Sequence, residues 1–286
     1  MYLVGTDSIG FPLYIKHTSS RPCPLFIYLR FQCYWYHIIE QFSQTHFTFG
    51  RDKLIAASGV INLIQDRTGL TSFAGLWREF LLEDLLWSTA SLEKTVRVAE
   101  YRAPSFSWAA LDGAVKKNFT RLGCQARYID NTIAEPHSDE RRYVATLVSA
   151  EIEMGDPSRH TGEVLSASIV LQGHITRFKI KRRGLKDRSR WTHPYFEFPK
   201  EENYSAEERW LALDTNNDAP GDSLDVVCIP IIEWFANNEP TRHIAGLVLV
   251  TTPNPEVYRR IGMFEDCWRT GEVRWVGEER EDVKIT

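Results

Sequence analysis

With 286 residues, 43% of them hydrophobic and 25% charged, the chain carries enough apolar material to bury a substantial core. Nine tryptophans and fifteen phenylalanines exclude a mostly disordered chain. A net charge of −4 excludes a global attraction to nucleic acid or to an anionic membrane.

Residues 1 to 32 scatter Gly, Pro, Ser and Thr without a period, and Pro12, Pro22 and Pro24 interrupt any element. Two readings are open for them: a loose, irregular terminal segment, or a stretch that is not the native start of the protein. From Cys33 the pattern sharpens, with Tyr34, Trp35, Ile38, Ile39 and Phe42 on one helical face. Leu54, Ala57, Ile61 and Ile64 repeat that spacing, and Gly69 stops the helix after Arg67. Phe80, Leu81, Leu85 and Leu86 mark a third helix beginning near Trp77. Residues 33 to 99 thus read as a helical unit.

After residue 100 the period changes. Pro104 forbids helix, Ser105 to Leu111 reads as a buried strand, and Asp112-Gly113 turns the chain. Val144, Val148, Ala150, Ile152 and Met154 share one parity, while Glu151 and Glu153 take the other. Leu165, Ala167, Ile169 and Leu171 alternate with Ser166, Ser168 and Gln172, and Gly173 is expected to break the run. A hairpin with Gly155 to Gly162 as its loop is the simplest pairing. Leu224 to Ile232, with Pro230 implying an edge or a bulge, is a further strand. So are His243 to Thr252 and Val257 to Phe264, and Ala245 to Val250 reads as central because both faces are apolar. The expected fold is α+β: a small helical unit, then a mostly antiparallel sheet of sandwich or barrel type over 100–286. A long charged loop is expected near 179–222.

Chemistry is sparse. Cys23, Cys33, Cys124, Cys228 and Cys267 are odd in number and show no C-x-x-C spacing, so zinc and redox motifs are absent. Asn118 and Asn203 open glycosylation sequons, which matter only in a secreted chain. No charged-then-apolar leader or membrane-length apolar run is seen, so a reduced, cytoplasmic protein is expected. The eight histidines never fall at i, i+4, no phosphate loop is present, and Ser58-Gly59 lacks the first glycine of a nucleophile elbow. The carboxylate pairs Glu83-Asp84, Asp139-Glu140, Glu201-Glu202 and Glu207-Glu208 read as solvated faces. Lys179, Lys181, Arg182, Arg183, Lys186, Arg188 and Arg190 form a basic tract beside Trp191, Tyr195 and Phe196. Single-strand binders combine cations and rings in this way, but the acids of Glu197 to Glu208 neutralise the tract, and a surface insertion is the expected reading. No residue is assigned to catalysis, to a cofactor or to a metal.

Several stretches in series resemble the region downstream of the HET domain in fungal heterokaryon-incompatibility (HET) proteins. Trp35 to Glu40 is similar to the helix preceding that family's "DKL-A-SG" motif, and Arg51-Asp52-Lys53-Leu54-Ile55-Ala56-Ala57-Ser58-Gly59 to the motif itself. Phe73-Ala74-Gly75-Leu76-Trp77 resembles the "YLAGLW" box, and Leu85-Leu86-Trp87 the box that follows. Tyr101 to Gly113 resembles "YRAPSWSWASVDG", with Phe106, Ala110 and Leu111 as departures. Gly162 to Gly173, and Gly246 to Leu249 with Tyr258 to Gly262, resemble the late strands.

The family's own HET motifs, resembling "LSYVWG" and "WIDSLCI-Q", are missing. The resemblance therefore implies a non-catalytic carboxy-terminal half, truncated by gene decay or by a wrong start. Its expected partner is a HET cell-death effector domain, in cis in relatives, or another incompatibility protein, in fungal nonself recognition. Nucleic acid and membrane are not expected partners. The alternatives are a TIR-like NAD hydrolase and a partner- or nucleic-acid-binding module using Lys179 to Arg190.

Overall fold

The computed structural model describes residues 25–45, 47, 49–117, 128–129, 132–133, 142–159, 161–182, 196–197, 210–218, 223–235, 241–269 and 280–286. Helix α1 (Leu25–Ser43) buries Trp35, Tyr36 and Ile39, and helix α2 (Lys53–Thr68) buries Leu54, Ala57, Ile61 and Ile64. These are the faces that a period of 3.6 selects. The first helix starts at Leu25 and not at Cys33, because all three early prolines precede it in sequence. Trp35 and Trp77 stack edge-on at 5.1 Å between ring centroids and are buried.

The third helix is shorter than its apolar spacing predicts. A hairpin of β1 (Ser72–Phe73) and β2 (Leu76–Trp77) takes up Trp77, and one 3-10 turn leads into the four-residue α3 (Leu81–Asp84). Ala74 and Gly75, with φ of 51° and 82°, form the two-residue turn between these strands. Both angles lie in the left-handed region that the tightest hairpins require. A Cβ on Gly75 would also stand 2.9 Å from both Leu54 and Trp108. The apolar spacing of Phe80, Leu81, Leu85 and Leu86 thus yields only one α-helical turn, because the hairpin and the 3-10 turn occupy residues 72–80.

Short strands follow: β3 (Ser88–Thr89), β4 (Val96–Arg97), β5 (Leu111–Asp112), β6 (Val115–Lys116), β7 (Tyr128–Ile129) and β8 (Thr132–Ile133). Ser105 to Leu111 is buried, but most of it is not strand. Ser107 caps a 3-10 turn over Trp108–Ala110, its Oγ accepting from the Ala109 N–H at 3.1 Å, and extended structure begins at Leu111. Asp112-Gly113 does turn the chain, with Gly113 at φ 138°.

The main sheet is built from β9 (Arg142–Tyr143), β10 (Thr146–Met154), β11 (Val164–His174), β12 (Thr176–Arg182), β13 (Phe196–Glu197), β14 (Trp210–Leu213), β15 (Ser223–Phe235), β16 (Thr241–Thr251), β17 (Val257–Arg269) and β18 (Arg280–Ile285). Its order is β10-β11-β18-β17-β16-β15-β12-β13, with β14 also on β17 and β9 also on β15. Pairing is antiparallel except between β17 and β18. The chain is therefore α+β, with a short helical part and a large, mostly antiparallel sheet.

Two bulges alter the expected faces. Between Leu147 and Ser149 the register shifts, so Leu147 packs on the core and Val148 stands half-exposed. A second shift lies where Met154 pairs with Val164, burying Val164 and leaving Leu165 half-exposed. Gly173 does not end its strand, which runs on to His174 under the side chain of Ile229. Pro230 lies at a bulge inside β15. The charged segment is not one loop: Lys179, Lys181 and Arg182 lie on β12, and β13, β14 and a 3-10 turn at Asn216–Asp218 also fall within 179–222.

Both faces of β16 are buried. One joins a cluster shared with the helical part, in which Trp77, Trp87, Phe106 and Trp108 pack with Ile169, Leu171, Ile229, Leu247 and Met263. The other meets Ile180, Leu211, Leu213, Val226 and Phe264, brought round by the outer strands. No break in the first cluster coincides with residues 99–100. Gly246 sits in β16 where a Cβ would fall 2.2 Å from the Ile229 carbonyl. Gly246→Ala is expected to cost about 3 kcal/mol by overpacking, read as a lower urea midpoint at unchanged slope.

Candidate functional site

The stretches singled out by resemblance are far apart in sequence and meet in space. Lys53 is buried at the start of α2, and its ammonium donates to the Leu111 carbonyl at 2.5 Å while lying 5.5 Å from the Trp108 ring. Burial, and then the neighbouring Arg102, lower its pKa to about 8. Arg102 donates to the carbonyls of Ala109 (2.6 Å) and Gly50 (3.2 Å) and to the Asp112 carboxylate (2.6 Å). Ser107 Oγ donates to the Ala74 carbonyl at 2.6 Å, and Trp108 Nε1 to the Gly75 carbonyl at 2.7 Å. The β1–β2 turn is thus held by the Ser-x-Ser-Trp stretch. Trp87 Nε1 donates to the Phe106 carbonyl at 2.9 Å.

Arg260, on β17, completes this lattice. It is fully buried and stacks on Trp87 at 3.5 Å. Its guanidinium donates to the carbonyls of Leu85 and Trp87, each at 2.5 Å, and pairs with Asp214 at 3.2 Å. Its backbone N–H donates to Ser105 Oγ at 2.9 Å. Asp214 is shared with Arg97 at 3.3 Å, and Asp218 takes Arg97 at 3.0 Å and Arg259 at 2.6 Å. Every charge in this chain of ion pairs is answered, as burial demands.

A further buried carboxylate, Asp84, corrects the reading of Glu83-Asp84 as a solvated face. Asp84 is fully buried. It accepts from the Trp77 N–H at 2.8 Å and the Tyr36 hydroxyl at 3.2 Å, with the Lys117 ammonium at 3.7 Å. Lys117 also lies 4.3 Å from the Tyr36 ring. Asp84 follows Leu81 by three residues, and that spacing is the signal placing it on the apolar face. Burial pushes its carboxyl from 3.8 to about 6, against the pull of Lys117 and the two hydrogen bonds. Its neighbour Glu83 faces out and accepts from the Tyr143 hydroxyl at 2.7 Å.

Outside these clusters, a polar groove of about 380 Å³ lies between α2 and the β10–β11 loop, lined by Ser58, Asn62, Gln65, Asp66, Arg159 and Thr161. Ser58 is helical, its Oγ donating to the Ile55 carbonyl at 2.5 Å. Of the basic tract, Lys179 is exposed and pairs with Asp225 at 3.5 Å, while Ile180 beside it is buried. Arg183, Lys186, Arg188, Arg190 and the aromatic side chains beside them lie outside the described residues, as do Asp139-Glu140, Glu201-Glu202, Glu207-Glu208, Asn118 and Asn203. Cys228 is a buried free thiol whose ionisation burial disfavours. Among the described residues no group of three or more His, Cys, Asp or Glu is placed to hold a metal ion, and no helix is long and apolar enough to cross a membrane.

No family model, curated protein or solved structure matches the chain.

The Asp84 cluster makes a pH prediction. Its folded pKa of about 6 lies above its ordinary 3.8, so between those values the native state binds more protons than the unfolded chain. The contribution of Asp84 to stability is full below that window, falls as pH rises through it, and is level above 6. The fall amounts to about 3 kcal/mol. Urea unfolding of the wild type and Asp84→Asn across the window should show that downward slope in the wild type relative to the variant. Parallel pH profiles would refute it.

Proposed function

We propose that the chain is the non-catalytic half of a HET-type incompatibility protein, a cytoplasmic structural or regulatory partner that docks on a cell-death effector domain. The observation carrying this reading is how the family-like stretches are spent. Lys53, Trp87, Arg102, Ser107, Trp108 and Arg260 donate to backbone carbonyls of the neighbouring stretches, and the buried Trp77 packs its ring on Trp35. Motif residues that serve a reaction converge on an open cleft with a nucleophile or a base in reach of substrate. Residues that serve a fold hold segments in register and leave recognition to the outer surface. This pattern is the second kind.

The test is direct association. The purified chain, titrated into a purified HET domain from a protein carrying both halves, is expected to form a one-to-one complex tighter than about 10 μM. A titration with no complex at concentrations well above that value would reject the reading. NAD consumption by the chain alone would favour hydrolase chemistry instead.

A further inference from the structure

Helix α2 is apolar on two sides. From Leu54 to Ile64 it carries no charged residue, and Ser58 and Asn62 are its polar ones. Leu54, Ala57, Ile61 and Ile64 face the core, whereas Ile55, Ala56, Gly59, Val60 and Leu63 are exposed. At 3.6 residues per turn these five cover an arc of about 140° on the side away from the core. Ile55, Val60 and Leu63 keep 42%, 40% and 50% of their surface accessible. A helix that only covers a core presents polar residues on its outer side, and one that is apolar all round is normally enclosed.

The shape and charge of this face suit a copy of itself. Ile55, Gly59 and Leu63 follow one another at i, i+4 and i+8, so they form one ridge about 12 Å long with Gly59 as a notch at its middle. A Cβ at Gly59 would meet no atom within 4 Å, so the notch is open among the described residues. A two-fold axis through Gly59 sets two helices antiparallel and brings the glycines face to face, where the backbones can approach closely. It also seats Leu63 of each copy against Ile55 of the other. Arg51 and Asp52 precede the face, and Asp66 and Arg67 follow it. Each end of such a pair therefore receives one acid and one base from each copy, and the two helix dipoles oppose. A strongly charged partner would find no counter-charge between Leu54 and Ile64.

We propose that the outer face of α2 is a self-association surface on which two copies of this chain pack antiparallel about Gly59. Its partly exposed side chains supply only a fraction of the roughly 800 Å² that each partner of a standard interface buries, so the dimer is a weak one, with a Kd of about 10–100 μM. The proposal does not rest on the partner reading above, since it uses the side of α2 that the buried lattice leaves uncovered.

Sedimentation velocity of the full chain from about 1 to 200 μM, a range that spans this Kd, tests it. The weight-average mass should rise with concentration toward twice that of one chain. Leu63→Lys should weaken the association at least tenfold, and circular dichroism should show an unchanged fold because the side chain is exposed. Gly59→Leu adds apolar surface and helix propensity but fills the notch, so it should weaken the association as well, whereas unspecific stickiness would grow. A chain that stays monomeric at the highest concentration, association indifferent to Leu63→Lys, or association strengthened by Gly59→Leu would overturn the proposal. So would a chain that is monomeric alone and loses a complex with a HET domain through Leu63→Lys, which would give the face to that partner.

Discussion

A guanidinium without access to water has to be answered on every side, and Arg260 imposes that condition on this fold. Stripping an ion of solvent costs several kcal/mol, which is recovered only with good geometry and further hydrogen bonds. Asp214 supplies the counter-charge, Leu85 and Trp87 supply carbonyls, and the Trp87 ring supplies a π face. These partners come from the helical part and from the segment after β14, whereas Arg260 belongs to the sheet. Meeting its needs therefore fixes where the Leu85–Trp87 turn sits on the sheet. Hydrophobic burial alone is non-directional and would leave that placement loose. Arg97, Asp218 and Arg259 extend the same constraint outward.

The other stretches work in the same currency. A tight turn exposes carbonyls, and Ser107 and Trp108 capture those of Ala74 and Gly75. Arg102 and Lys53 do this for Gly50, Ala109 and Leu111. Short elements with little regular hydrogen bonding of their own are thus satisfied by side chains from one another. Buried loops that leave such groups unpaired are not stable.

Much of this fold was legible in the sequence because periodicity reports burial. Leu54, Ala57, Ile61 and Ile64 gave α2, the doubly apolar Ala245 to Val250 gave a central strand, and Pro230 gave a bulge. What periodicity cannot carry is an interruption of itself. The bulges that turn Val148 and Leu165 outward reverse parity within a strand, and the 3-10 turn after Trp77 leaves only four α-helical residues where the apolar spacing from Phe80 to Leu86 reads as a longer helix. Strands β12 and β18 escape a periodicity reading because charged residues alternate with their few apolar ones, and β14 because its four apolar residues are too few to show a period. Of the two buried clusters, Asp84 had a signal in its spacing from Leu81. Arg260 and Asp214 had none, because a buried ion pair is written by tertiary proximity and not by local pattern. The groove was equally silent, since Ser58, Asn62, Gln65 and Asp66 form no motif in sequence.

The central claim is that the helical part and the sheet are one cooperative unit joined through Arg260. Native-state hydrogen exchange of the wild type and Arg260→Met, followed in rising denaturant, tests it most directly. The account predicts that amides of α2 and of β16 lose protection together, and that the substitution lowers the opening free energy of both by the same amount. If α2 opens at much lower free energy than β16, with β16 indifferent to Arg260, the two parts are separate units and the account is wrong.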